Sequence, residues 1–461
     1  MQDLKILKFK EFGLLENESQ LTEQEIVSKF FQQSTKNEFE TLGIQFELQG
    51  GDTNKSVLKA SHWVGIVWIE EGELAVRVEP KRGHFVEVRM LEECLRFPQI
   101  ADRLLGRAGI EAEKGETAFF FWPEQKPIRV KKEIANTAYL FLIAKFLHEL
   151  KKLCERHLKR QFPRMEENLA GKVKGRILIK ENLRRNLTRG RPDRVYCQFQ
   201  THSLDTKENQ ILKAALEVAI AYLSWRGLNL KALWTMGQFC RNALAEVSSK
   251  RIFPHDFSGL RLTGIMKHYK KPIELAKVIL QKIASEPNTS KFEQEKVDVF
   301  PYAIDMNQLF ERYCEALLRN EGIKENNFTV KPEPDTLWAG TENLTAGEVT
   351  VRPDFLFIEK EKPIVADAKY KYGWNPKDHR EDVYQVIAYT LHKKVQEKLG
   401  NICNKKKVQP HKIYIFYPEN PENKNQENKN SIKSFQNLTQ DQPKEIEIIP
   451  IPIQLPVNNE K

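Results

Sequence analysis

Cysteine is scarce and scattered. The six thiols, Cys94, Cys154, Cys197, Cys240, Cys314 and Cys403, form no C-x-x-C pair. That spacing excludes a zinc-ribbon framework and points to a reducing compartment. A P-loop string, G-x-x-x-x-G-K-[ST], is also missing, so any nucleotide hydrolysis belongs to another subunit. No Ser-His-Asp or Cys-His grouping stands out, and His148 and His157 read as helix-surface residues. Long apolar runs are absent too. The most apolar stretch, Ala138 to Leu147, is ten residues long and interrupted by Lys145, too short and too charged to span a bilayer. The start, Met1-Gln-Asp-Leu-Lys, lacks the basic-then-apolar pattern of a signal peptide. A cytoplasmic protein without membrane contact is expected. No helix-turn-helix, zinc finger or aromatic stacking module is evident, so the chain has no recognisable element for reading bases.

Charge and length are what the sequence has in quantity. The 461 residues carry 40% hydrophobic and 30% charged side chains and a net charge of +10. Such a chain is soluble and globular, long enough for two or three domains, and inclined towards polyanions. A β-rich domain is expected over residues 1–125, with a helix near Glu23 to Gln33. Trp63 to Ile69 and Glu73 to Glu79 form a hairpin about Glu71-Gly72, and Ala118 to Trp122 a further strand. A helical, basic middle domain follows over 126–294. Its first helix, from Ala135 to Arg160, sets Tyr139, Leu142, Ile143, Phe146, Leu150 and Leu153 on one face; a second, Ile211 to Trp225, is apolar on most sides and therefore buried. Between them, thirteen Lys and Arg residues from Arg156 to Arg194 face four acids, Glu166, Glu167, Glu181 and Asp193. Gly171, Gly175 and Gly190 are interspersed among them. This segment is either a solvated face or a phosphate-backbone contact through Lys172, Lys174, Arg176, Arg184 and Arg185. Cations of this kind position DNA without reading it. Residues 418–444 are dominated by Asn, Lys, Gln and Glu, and a mobile loop is expected there. Glu445 to Ile453 then resumes strand-like alternation, and its prolines suggest an edge.

The chemistry concentrates in residues 295–461. Glu348 to Ile358 and Pro363 to Lys371 are rich in β-branched and aromatic residues and flank a charged break, the pattern of an antiparallel hairpin. A two-residue turn at Lys360-Glu361 sets Asp354 directly across from Asp367, on one face, with Lys369 two residues further along it. The opposite face carries Phe355 and Phe357 against Ala366 and Ile364. Opposed carboxylates repel, and a divalent cation between them removes the cost. Their hard oxygens suit Mg²⁺ or Mn²⁺, and an adjacent ammonium suits phosphodiester hydrolysis. Upstream, Asp305 is a good N-cap, with Gln308 three residues on, for a helix whose stripe is Met306, Leu309, Phe310, Tyr313 and Leu317. Glu311 borders that stripe, either as a third carboxylate or as an ordinary surface glutamate. Downstream, Gln385 and Tyr389 share one helix face, to touch the scissile phosphate or simply to pack. Ile413 to Tyr417 supplies another strand.

Pro353-Asp354 followed by Asp367-Ala368-Lys369 resembles the PD-(D/E)XK nuclease motif. More narrowly, Ile304 to Glu311, Arg352-Pro-Asp354, Ala366 to Lys371 and Tyr384 to Tyr389 together resemble McrC, the nuclease subunit of the McrBC modification-dependent restriction system. Gly65 to Lys81, Lys174 to Ile177 and Asn209 to Lys213 agree, so the likeness spans Trp63 to Tyr417. The resemblance implies a multidomain α+β chain ending in an α/β PD-(D/E)XK domain with a mixed sheet flanked by helices. It implies a metal-dependent endodeoxyribonuclease with Asp354, Asp367, Lys369, Glu311 and Gln385 as catalytic residues. Mg²⁺ (or Mn²⁺) would be held by Asp354, Asp367, Glu311 and the Ala368 carbonyl, and DNA would also meet Lys371 and Tyr389. The implied partners are double-stranded DNA and a McrB-like AAA+ ring that recognises methylated DNA, hydrolyses GTP and docks on residues 1–125, with the Lys81-Arg82 tip near its nucleotide. Assemblies would pair for double-strand cleavage. Two alternatives stay open: a stand-alone PD-(D/E)XK nuclease of repair or recombination, and a non-catalytic adaptor that activates an AAA+ partner.

Overall fold

The computed structural model describes residues 5–11, 15–16, 45–48, 56–81, 86–105, 117–225, 230–283, 296–325, 328–340, 343–372, 374, 377–405, 408–410, 412–419, 432–435 and 446–456. The helix expected near Glu23, the Arg82 half of the basic tip and most of 418–444 lie outside them. The chain is mixed α/β and divides into two compact units, one of Met1–Phe141 with Glu295–Lys461, the other of Leu142–Gln294.

The expected boundary at residue 295 does not separate two bodies, because strands just beyond it complete the first unit's amino-terminal sheets. Tyr302–Asp305 pairs antiparallel with Trp63–Glu70 on one side and with Phe119–Phe121 on the other. Lys296–Val299 likewise pairs with Ile128–Lys131. Tyr302, Ala303 and Ile304 are all buried, so the strand is wanted on both faces. The Trp63–Glu70 and Leu74–Glu79 hairpin forms as expected, with Lys5–Lys10 parallel to its outer arm. Two helices that the β-rich expectation for this region did not include, Val86–Leu95 and Pro98–Leu105, pack on a third, α1 (Met306–Arg319).

The remaining sheet of this unit carries the motif. Its strands are β1 (Trp338–Ala339), β2 (Phe355–Glu359), β3 (Lys362–Ala368), β4 (Lys412–Pro418), β5 (Ile432–Phe435) and β6 (Ile446–Ile453), in the order β1-β2-β3-β4-β6-β5. The β2–β3 hairpin has the expected register, Phe355 opposite Ala366 and Glu359 opposite Lys362. Lys360 and Glu361 both take positive φ, 49° and 61°, the backbone of a tight turn whose twist matches its strands. β4 runs parallel to β3, and β6 parallel to β4, making the sheet mixed. Phe355, Phe357, Ile364 and Ala366 are fully buried on one face. On the other, Leu356, Val365, Ile413 and Ile415 pack with Val383, Val386 and Tyr389 of α2 (Arg380–Leu391) and with Val395 and Leu399 of α3 (Lys393–Ile402). β6 is not the edge strand its prolines suggested. β5 pairs with it antiparallel, from within the span read as a mobile loop, but only over Ile446 to Ile448. Pro450 and Pro452 lie beyond that pairing, with β4 alone beside them, opposite Ile415 and Tyr417.

The second unit is helical as expected, with Lys207–Trp225 and Lys270–Lys282 packed together. It also holds a three-stranded antiparallel sheet of Arg164–Ala170, Arg176–Ile177 and Arg194–Gln200. The basic segment is therefore folded, and Gly171, Gly175 and Gly190 take φ of 64°, 69° and 66°, the left-handed backbone its turns require. His148 is buried rather than on the surface, while His157 is exposed.

Candidate active site

Asp305 begins the site. Its carboxylate accepts from the Gln308 backbone N–H at 3.1 Å, capping α1 and fixing the helix that carries Glu311. Asp354 is placed at the mouth of the hairpin. Its carbonyl accepts from the Gly340 N–H at 2.7 Å, and a Cβ on residue 340 would fall 2.3 Å from the Pro353 carbonyl oxygen. Only glycine allows that approach. The Asp354 side chain crosses to β3, where Oδ2 accepts from the Ala368 N–H at 2.7 Å. Asp367 is 1% exposed, and its Oδ2 lies 2.7 Å from Lys369 Nζ. Lys369 also donates to Gln385 Oε1 on α2 at 2.8 Å. The hairpin thus brings together the two aspartates and the lysine, and α2 supplies the glutamine that holds the lysine.

Burial comes first among the causes that raise the Asp354 carboxyl well above the usual carboxylate range; the Asp367 and Glu311 charges add to it, against Lys369 and the Ala368 N–H. Burial alone would lower Lys369, but the Asp367 and Asp354 charges outweigh it and raise the ammonium. Tyr389 is raised by burial and by the same two aspartates, and its hydroxyl hydrogen-bonds Gln385.

Glu311 is buried and faces Asp354, yet its nearest cation is Arg312, at 2.8 Å, with Arg352 Nη2 at 4.0 Å. Arg312 also reaches Glu315, a fully buried carboxylate that Arg103 and Arg319 hold as well. Among the described residues no group of three or more His, Cys, Asp or Glu side chains is gathered closely enough to hold a metal. The expected three-carboxylate set is thus not assembled, because Glu311 is drawn to its arginine. Even so, Glu311 Oε1 and Asp367 Oδ2 are buried oxygens without an aligned hydrogen bond, held by charge alone. Mg²⁺ keeps several waters and needs only one or two carboxylates, so Asp354, Asp367 and the Ala368 carbonyl fit it.

Two residues expected to meet DNA are engaged elsewhere. Lys371 binds both oxygens of Asp382 at 3.0 and 2.9 Å, and Asp382 accepts from Trp374 Nε1 at 2.8 Å, pinning the start of α2. Tyr389 is 4% exposed and lies in the core. In the second unit Lys172, Arg176 and Arg184 are exposed. Lys174 lies over the Phe199 ring at 4.2 Å and Arg185 over Tyr196 at 4.8 Å. Arg312 did not enter the sequence reading, and Arg352 entered only as part of the Arg352-Pro-Asp354 motif. The one local signal for them was adjacency, Arg312 next to Glu311 and Arg352 two residues before Asp354.

The chain matches the family model described as McrBC 5-methylcytosine restriction system component over residues 58–402. It belongs to that family. The match covers nearly the span that the motifs from Trp63 to Tyr417 suggested, and it includes every residue of the site. No curated protein matches this McrBC-family chain. Among solved structures, it is similar to a refined half-complex from a tetradecameric assembly of Thermococcus gammatolerans McrB AAA+ hexamers with bound McrC, at 15% identity and a TM-score of 0.35, covering 97% of this chain and 94% of that one. The cryo-EM structure of the McrBC complex of the same organism gives 14% identity, a TM-score of 0.30, and coverage of 70% and 89%.

Proposed function

We propose that this McrBC-family chain is the endodeoxyribonuclease subunit of its restriction system, with a PD-(D/E)XK-type site at the mouth of the β2–β3 hairpin. The observation that carries the reading is the placement of Asp354 and Asp367 across one hairpin with Lys369 2.7 Å from Asp367. Hydrolysis joins a water oxygen to phosphorus and breaks the bond to one sugar oxygen; one water proton leaves to solvent, and the leaving oxygen takes a proton back. Lys369, kept charged by the aspartates and oriented by Gln385, is placed to align the water or offset charge developing on the phosphoryl oxygens. Asp354, Asp367 and the Ala368 carbonyl would hold Mg²⁺ or Mn²⁺, which when bound acts as a Lewis acid on phosphate and water. Glu311, paired with Arg312 at 2.8 Å, lies outside that set.

The partner is a McrB-type AAA+ ring, as in the complexes to which the chain is similar, and by the resemblance to McrC that ring hydrolyses GTP and selects methylated DNA. Besides residues 1–125, a second candidate docking surface lies in the second unit. The second unit exposes Ile179, Leu183 and Leu187, spaced four residues apart beside Arg184 and Arg185. No helix among the described residues is long and apolar enough to cross a membrane. Methylated and unmethylated plasmid, incubated with Mg²⁺, GTP and the partner, tests the nuclease reading. Wild type should cut the methylated plasmid and Asp367→Ala should not, with the partner's GTP hydrolysis intact. Cutting by Asp367→Ala would leave only the adaptor role.

A further inference from the structure

A phosphodiester entering this site meets the carboxyl groups of Asp354, Asp367 and Glu311, and most nearby cations are already committed. Lys369 is held by Asp367 and Gln385, Lys371 by both oxygens of Asp382, and Arg312 by Glu311 and Glu315. Arg352 differs. It lies two residues before Asp354, in the short link that leads into β2, and reaches towards Glu311, whose charge acts on Asp354. Its side chain is 37% exposed, and its ion pair among the described residues is a long one, 4.0 Å, to a Glu311 that Arg312 already holds at 2.8 Å.

We infer that Arg352 is a further catalytic residue: its guanidinium leaves the weak pair with Glu311 and grips the non-bridging oxygens of the scissile phosphodiester. The inference rests on the nuclease reading. A guanidinium presents two parallel N–H donors to a phosphate, and it neutralises charge that grows as water attacks. The long contact to Glu311, partly in solvent, is weak enough to exchange.

The test is single-turnover cutting of methylated plasmid by the chain assembled with its McrB-type partner, Mg²⁺ and GTP. Arg352→Ala should cut roughly a hundredfold more slowly, the usual cost of removing one donor to a developing oxyanion. Arg352→Lys should recover only part of the rate, since the fork is lost. Millimolar guanidinium, but not ammonium, should partly restore Arg352→Ala, which no purely structural role predicts. The melting temperature and the partner's GTP hydrolysis should not move. Cutting by Arg352→Ala within about twofold of wild type would overturn the inference, as would failure of guanidinium to rescue it. If Arg352→Ala does not fold, Arg352→Lys decides: a wild-type rate overturns the proposal, and a reduced rate with unchanged melting supports it. A wild type that never cuts, or an Asp367→Ala that does, sinks the nuclease reading instead and is told apart by that control.

Discussion

If the opposed aspartates exist for a metal, removing one charge should stabilise the empty protein while destroying its activity. Asp354→Asn is the sharpest form of this test. Asparagine keeps the shape and can still accept the Ala368 N–H that Asp354 takes at 2.7 Å, so what changes is charge. The ionised Asp354 is disfavoured by burial first and by Asp367 and Glu311 next. In the empty protein Asp354 therefore keeps a proton that the unfolded chain releases near neutral pH, and the repulsion it avoids, between unit charges about 5 Å apart in an effective dielectric of about 20, sets the scale of that cost at roughly 3 kcal/mol. Lost attraction to Lys369 returns part of that, leaving a net gain of about 1–3 kcal/mol. For a cooperative unit of roughly 300 residues this is a rise of about 2–5 °C in melting temperature. Thermal unfolding in EDTA measures it. Adding Mg²⁺ should then raise the melting point of wild type and leave Asp354→Asn nearly unmoved, because only the former has the site whose occupancy is linked to folding. A variant that melts lower than wild type in EDTA, or gains as much from Mg²⁺, would refute the idea that these carboxylates are held together at a cost for a cation.

Glu11 gives a pH prediction. It is buried, and its Oε2 accepts from the Tyr370 hydroxyl at 3.1 Å and the Lys81 N–H at 3.3 Å; burial pushes its carboxyl from 4.5 up to about 8. The folded state therefore keeps a proton that the unfolded chain loses, so this contribution is full below pH 4.5 and is lost as pH rises to about 8. Wild type should lose stability over that window at up to roughly 1.4 kcal/mol per pH unit from this group, and Glu11→Gln should flatten the profile. Equal slopes in denaturant titrations across the window would count against it. For the partner surface, Leu183→Glu with Leu187→Glu should leave melting within about 0.5 kcal/mol, since both side chains are exposed. Co-elution with the McrB-type ring should weaken at least tenfold; unchanged co-elution would remove the second unit as the docking face.

The hairpin was legible because everything it needs is local. Alternation set the faces, two charged residues set the turn, and the register placing Asp354 opposite Asp367 followed from those alone. The cap on α1 was legible for the same reason, an Asp and a backbone N–H three residues on. What escaped was non-local. Tyr302–Asp305 reads as a short apolar strand, but its partners are Trp63–Glu70 and Phe119–Phe121, far back in the chain, and no periodicity names a partner. The same holds for β5, four residues in an Asn- and Lys-rich span whose pairing is decided by β6. His148 looked like surface because a helical pattern reports one face, whereas this helix is covered on more than one.

The opposed aspartates suggested that a cation must relieve them, and the structure qualifies that. Lys369 lies against Asp367, the Ala368 N–H binds Asp354, and Arg312 and Arg352 flank Glu311. Behind them Glu315 carries three arginines of its own, Arg103, Arg312 and Arg319. Because Arg312 joins the two glutamates, the positive side of this network extends from the helix interior to the edge of the site. The chain can therefore fold around its acidic cluster with its own cations, which agrees with a hairpin that is packed on both faces. A buried carboxylate balanced this way still has oxygen lone pairs to give, as Glu311 Oε1 and Asp367 Oδ2 do. Folding and metal loading are then separable steps: the arginines and Lys369 make the site affordable without a metal, and the under-bonded oxygens keep it able to take one.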